Sequence, residues 1–288
     1  MFIKFFLFIC EVKNRVVKNN LITYANSLTF KLILSIFPFL MALLSFLGFL
    51  NLSADKIIAA FANNLPKDIG DMISYFIYDV LGQKRLSLLS SSAIIAIYSA
   101  SAGFHTMIKA ISDTFEVNEN RAFIKTRLIS LCLMLVFIFI IIITMYILIF
   151  GNVINRFIVD LGIIDNMPSI ITSTVMHIVA ALIVIVFLIF LYKFSISIRI
   201  KIKCLLPGIA FTIISWFIIS KLFNLYIANF SRYSVVYGSI GVIFVFALWL
   251  YLLSCLILIG AQINAVFDDK NFMKKLIGSD SWWFLLRK

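Results

Sequence analysis

Six long runs of this chain carry no charged side chain: residues 32 to 54, 86 to 108, 128 to 155, 166 to 192, 204 to 220 and 233 to 267. A helix that crosses a bilayer needs about 20 mostly apolar residues. In hydrocarbon only a helix or a closed barrel satisfies every backbone group. The runs are too long and too continuous for barrel strands, which alternate in segments of about ten residues. The pattern predicts an all-α polytopic membrane protein with six transmembrane helices, at about 28–51, 87–112, 128–151, 168–192, 204–226 and 237–267. The fifth continues past Lys221, whose long side chain snorkels outward. Residues 28–267 are expected to form a single six-helix domain. It is preceded by an amphipathic N-terminal segment (1–27) and followed by a basic tail (268–288).

The connecting segments carry patterns of their own. After Pro66, the residues Ile69, Met72, Ile73, Phe76, Ile77, Val80 and Leu81 recur at helical spacing, with Asp68, Asp71 and Asp79 off that stripe. This predicts an amphipathic extracytoplasmic helix in the first loop. Ser195 to Lys203 reads SISIRIKIK, a strict alternation that predicts a short extended segment. The opening MFIKFFLFIC is interrupted by Lys4 and lacks a small-x-small cleavage site before Glu11. It reads as a retained amphipathic anchor on the membrane surface and not as a signal peptide.

Composition agrees with the pattern, at 63% hydrophobic and 13% charged residues and a mean hydropathy of +1.09. The placement of the basic residues adds an orientation. Most of the 25 Lys and Arg residues lie at the N-terminus, in the second loop (Lys109 to Arg127), in the fourth (Lys193 to Lys203) and in the C-terminal tail. Basic residues of short loops stay on the cytoplasmic side, so both termini are expected to be cytoplasmic. The net charge of +12 is then a topology signal with attraction to anionic lipid head groups, and calls for no nucleic-acid partner.

Chemistry is sparse. Cys10, Cys132, Cys204 and Cys255 are scattered singly and suggest packing, with neither a metal site nor a disulfide framework. There is no HExxH, GxxxxGK[ST] or GxSxG motif, and the two histidines stand far apart. No enzyme activity and no cofactor is expected. From Asn166 to Phe267 there is no acidic residue. That disfavours a carrier driven through an intramembrane carboxylate.

A polar minority remains inside the apolar runs. On the sixth helix Phe244, Ala247, Tyr251, Ser254, Cys255, Leu258, Gln262 and Ala265 share one face, expected to point inward. The second carries a small-residue seam, Ser92, Ala96, Ser99, Ala100 and Gly103, followed by His105, Lys109 and Asp113 on one face. The first carries Ser27, Lys31, Ser35 and Pro38, with Lys31 expected to snorkel and Pro38 to kink the helix. His177 stands alone in the fourth. Such residues serve either as glue between helices or as the wall of a hydrated path. The candidates for a lining are Ser35, Pro38, Ser99, Gly103, His105, Tyr237, Gly238, Trp249, Tyr251, Ser254, Gln262 and Asn264.

Three segments resemble the YihY / virulence factor BrkB family of bacterial inner-membrane proteins, long mislabelled ribonuclease BN. They are SLTFKLILSIFPFL (27–40), IYSASAGFHTMIKAISDTF (97–115) and YGSIGVIFVFALWLYLLSCLILIGAQINAVF (237–267). The last carries Tyr237-Gly238-Ser239, Leu248-Trp249-Leu250-Tyr251 and Gly260 to Ala265, where the family has YGS, LWLY and a GAELN-like ending. Lys31 departs from an aromatic position and Gln262 from a common Glu, so a role for that carboxylate could not be run here by ionisation. The resemblance implies a transport-like or envelope-integrity role. The two functional expectations are a permease or exporter of an unknown small solute or lipid, and a non-transporting envelope scaffold that acts through lipids or partner proteins.

Overall fold

The computed structural model describes residues 2–49, 74–75, 78, 86–117, 121–160, 169–198, 200–269 and 272. The described chain is helical, with no strand among these residues. Its elements are α1 (Phe2–Lys18), α2 (Leu21–Phe49), α3 (Leu86–Thr114), α4 (Phe123–Asp160), α5 (Ser169–Ser195) and α6 (Ile202–Asp268). Six spans among them are long and apolar enough to cross a membrane: Leu21–Ala42, Ser90–Thr114, Phe123–Thr144, Thr174–Ser195, Ile202–Tyr226 and Ile243–Asp268. Their outer surfaces explain the composition. On α4 the side chains of Leu135, Phe139 and Ile142 are all more than half exposed, an arrangement tolerable only where the solvent is lipid.

Helical backbone runs through all of α6, yet α6 is not one straight rod. Gly208 and Gly260 touch, whereas on a straight helix residues 52 positions apart are about 78 Å apart. The rings of Phe223 and Trp249 lie 4.7 Å apart, which confines the reversal to the stretch between them. α6 is therefore a hairpin of two arms, Ile202–Tyr226 and Ile243–Asp268.

The chain divides into two compact units. The first comprises Met1–Ile22, Met107–Ile218 and Cys255–Lys288, and the second Thr23–Thr106 and Ile219–Ser254. In the second, Gly103 of α3 is buried against α2, where a Cβ would meet Leu32 Cδ2 at 3.3 Å and Leu28 Cδ1 at 3.6 Å. The small-residue seam thus permits close helix approach. Lys31 does not simply snorkel, because its ammonium donates to Thr106 Oγ1, whose own proton goes to the Ala102 carbonyl.

Several local readings change. α2 starts at Leu21, ahead of the expected 28, because Asn20 takes a left-handed conformation (φ 49°) and turns the chain directly from α1 into α2. Asparagine tolerates that region better than other side chains. The alternating 195–203 segment is extended only in part: Lys201 is extended, but Ile202 and Lys203 already belong to α6. Helix propagation toward Pro207 outweighs the alternation. Phe244 is 71% exposed and not inward-facing, while Ser254, Leu258, Gln262 and Ala265 of the same stripe are buried. The expected first-loop helix lies outside the described residues, except that Ser74, Tyr75 and Tyr78 are helical.

Candidate functional site

In the first unit α1, the end of α3, the end of α5 and both arms of α6 meet. Among the described residues, most buried hydroxyls bond back to their own helix: Ser35 to the Leu32 carbonyl at 2.7 Å, Ser254 to Leu250 at 2.8 Å, Ser130 to Thr126 at 2.8 Å. This is the cheapest way to bury a hydroxyl in a membrane helix. Three clusters of the first unit instead bond between elements.

The first is a glycine crossing. Gly208 and Gly260 bring the two arms of α6 so close that a Cβ on Gly208 would lie 2.0 Å from the Gly260 carbonyl oxygen. The Gly208 amide donates to Asn264 Oδ1 at 2.7 Å, and Asn264 is wholly buried. Its Nδ2 has no hydrogen-bond partner. One turn along, the hydroxyls of Tyr192 and Thr212 lie 3.2 Å apart, with the carbonyls of Gly208, Leu256 and Ile257 as acceptors for their two protons. We expect Tyr192→Phe to lower stability by about 1 kcal/mol, the usual worth of one such bond, measured as a thermal shift in detergent.

The second cluster is a directional chain of hydrogen bonds. Asn19 Nδ2 donates to Gln262 Oε1 at 3.3 Å, Gln262 Nε2 to Thr114 Oγ1 at 3.0 Å, and Thr114 Oγ1 to the Ala110 carbonyl at 2.8 Å. It ties the α1–α2 junction, α6 and α3 together. An amide suits this position because Thr114, with one proton already committed to Ala110, needs a donor. Gln262 is wholly buried, with one bond to its amide oxygen and one from its amide nitrogen.

The third cluster is ionic. Arg15 Nε donates to Glu11 at 2.7 Å, and its guanidinium also pairs with Asp269, just past the end of α6. Lys18 pairs with Glu116 at 2.5 Å. Phe8 of α1 packs against Phe267 with the rings tilted by 57° and their centroids 5.3 Å apart. Arg15, Phe115, Glu116, Ala265, Asp268 and Asp269 line a cavity of about 190 Å³. The end of α5 is tied down nearby: Arg121 donates to the Phe194 and Ser195 carbonyls at 2.9 and 2.8 Å, and Ser112 to Ser195 at 2.8 Å. Arginine at a helix C-terminus satisfies carbonyls that have no partner of their own in the helix.

Glu116 occupies a position that glycine usually takes. The Val117 amide bonds to Ser112 and the Glu116 amide to Asp113, a Schellman ending of α3, with Glu116 left-handed at φ 53°. A non-glycine residue there costs about 1–2 kcal/mol. The exposed pair with Lys18 returns about 0.2–1 kcal/mol. Lys18 holds the Glu116 carboxyl below its ordinary 4.5, so that contribution is present above pH 4.5 and fades as the pH falls through the lowered value. Glu116→Gly is therefore expected to be neutral or stabilising by about 1 kcal/mol at pH 7 in a melting measurement.

Of the residues expected to line a path, Gln262 and Asn264 lie in these clusters. Ser35, Gly103, Trp249, Tyr251, Ser254 and the half-buried Ser99 and His105 belong to the second unit, as does Pro38 within α2. The side chain of Tyr237, with Gly238 beside it, lies outside the described residues, as does the side chain of His177. Lys109 is exposed and Asp113 half-buried. Sequence reasoning misses Tyr192, Thr212, Asn19, Thr114, Arg15, Glu116 and Asp269 as members of the site. None of the four cysteines is in a disulfide, and among the described residues no group of three His, Cys, Asp or Glu side chains could hold a metal ion.

Comparison with known proteins matches the family described as "Virulence factor BrkB" across residues 12–280. The chain is 29% identical over 243 residues to the "Putative ribonuclease-like protein YfkH" of Bacillus subtilis (strain 168), covering 84% of this chain and 88% of that one. Over 50 residues it is 44% identical to the UPF0761 membrane protein PBPRA3489 of Photobacterium profundum, covering 17% and 16% of the two chains. A UPF0761 membrane protein of Psychromonas ingrahamii is 34% identical over 74 residues, 23% of this chain and 25% of the relative. No solved structure matches. With the family match spanning all six apolar spans, the chain is an integral membrane protein that belongs to the virulence factor BrkB family.

Proposed function

We propose that this protein is a permease or exporter for a small polar solute or a lipid head group, in a bacterial inner membrane with both termini cytoplasmic. The observation that carries the reading is the sequence of polar groups along the last turns of α6. The cavity walled by Arg15, Glu116, Asp268 and Asp269 includes Ala265. Immediately behind it, Asn264 and Gln262 are wholly buried, and the amide nitrogen of Asn264 is unpaired. An unpaired buried amide costs about 1–3 kcal/mol, and a passing polar group would offset that cost. The placement of the basic residues supports the orientation, which puts the cavity at the cytoplasmic end as a vestibule.

The test compares intracellular, extracellular and lipid-extract profiles of a deletion strain, rescued with wild type or with Gln262→Leu at matched expression. One compound class that accumulates on one side, corrected by wild type and not by the variant, supports a carrier. Flat profiles, with an envelope defect rescued equally by both proteins, would instead identify a scaffold.

A further inference from the structure

α1 has two faces of different chemistry. Phe8, Val12, Arg15 and Val16 cluster on one side at helical spacing and are half-buried, and Phe8 and Arg15 meet Phe267 and Asp269. On the opposite side Phe6, Val17, Ile3 and Leu7 fall within an arc of about 100°, which also holds the exposed Asn14 and the half-buried Cys10. The first four side chains are 62%, 69%, 75% and 49% exposed. Lysines flank the apolar arc on both edges: Lys13 about 20° beyond Phe6, and Lys18 and Lys4 about 20° and 60° beyond Leu7. No acidic residue lies within the arc, since Glu11 turns toward Arg15.

We propose that this outer face of α1 is a docking surface for an anionic bilayer, lying in the plane of the membrane. Its apolar side chains enter the acyl boundary and Lys4 and Lys13 reach lipid phosphates, while Lys18 stays paired with Glu116. Two observations select a lipid surface as the occupant. Lysines bordering an apolar stripe match an anionic head-group layer above hydrocarbon, because each long stem can lie along the stripe while its ammonium reaches phosphate. Continuity with the bilayer is the second. α1 ends at Lys18 and the first membrane-spanning stretch begins at Leu21, so the turn at Asn19 and Asn20 holds α1 at the end of that span. The inference does not depend on transport. It makes α1 a helix held between lipid on one side and the Asp269 end of α6 on the other.

The experiment uses the full chain with its four cysteines replaced by alanine and Val17→Cys carrying an environment-sensitive NBD label. The labelled protein is reconstituted in phosphatidylcholine vesicles with or without phosphatidylglycerol. Blue-shifted emission and protection from iodide, stronger with phosphatidylglycerol, are expected. Lys4→Gln together with Lys13→Gln should reduce that lipid preference by about fivefold for each lysine removed. Circular dichroism of the variant checks that the chain remains folded. A label quenched freely in both vesicles overturns the proposal, as does equal protection in both that the lysine substitutions leave unchanged. Protection that persists in detergent and rises with protein concentration would also overturn it, by showing that a second copy covers the face.

Discussion

Gly208→Ala should be strongly destabilising. The added carbon would sit 2.0 Å from the Gly260 carbonyl oxygen and 2.4 and 2.6 Å from Oδ1 and Cγ of Asn264. The first of these is backbone, so no rotamer change removes the clash and the two arms of α6 must separate. Overpacking of this kind costs about 1–3 kcal/mol, and occasionally more. Separation would also lengthen the 2.7 Å bond from the Gly208 amide to Asn264, a further loss of about 1–3 kcal/mol at a buried polar pair. Together the loss should be about 3 kcal/mol or more. It would be read as a drop in the melting temperature of the detergent-solubilised protein and in the amount of full-length protein in the membrane. Gly103→Ala is the internal control. Its methyl would meet only the tips of Leu32 and Leu28, at 3.3 Å and beyond, and those tips can yield. Its expected cost is below about 1 kcal/mol. A Gly208→Ala protein that melts with wild type would show that the arms are not held at the glycine crossing.

Hydrocarbon imposes long apolar helices, so α2 to α6 are legible from charge-free runs alone. The reversal of α6 is legible too, as a gap between two runs, although the backbone stays helical through it. Gln262, Asn264 and Ser254 stand out because a polar side chain in an apolar stretch is conspicuous. Tyr192 and Thr212 do not stand out. A tyrosine near the end of a span looks the same whether it anchors at the interface or, as here, is buried against Ile257 and Thr212. The ionic cluster is hidden for another reason. Arg15 and Asp269 are 254 residues apart, and each reads as an ordinary charge of a terminal segment. Phe244 shows the limit of the helical face. The stripe that is buried at Gln262 has turned to an exposed surface five turns earlier, since what covers a long helix changes along its length.

Gln262→Leu should separate folding from function. The substitution removes one donor and one acceptor from a wholly buried site but leaves few groups stranded. Thr114 still donates to the Ala110 carbonyl at 2.8 Å, and Asn19 is only half-buried and can turn to water. Leucine is close to glutamine in volume. The expected cost to the fold is therefore about 1 kcal/mol, small enough for normal insertion. A polar cargo passing this point would lose a hydrogen-bonding partner in a low-dielectric setting, worth about 1–3 kcal/mol, or about 5- to 150-fold in rate or affinity. Gln262→Glu keeps the polarity and, as a neutral acid, can keep both bonds: its O–H can donate to Thr114 while its C=O accepts from Asn19. That variant should retain more function than Gln262→Leu if polarity is what matters. The three proteins would be compared at matched membrane levels in the deletion strain, with thermal unfolding alongside. Full activity in Gln262→Leu would reduce this residue to a packing bond between α6, α3 and the α1–α2 junction. Loss in Gln262→Leu with recovery in Gln262→Glu would place the cargo at this turn of α6.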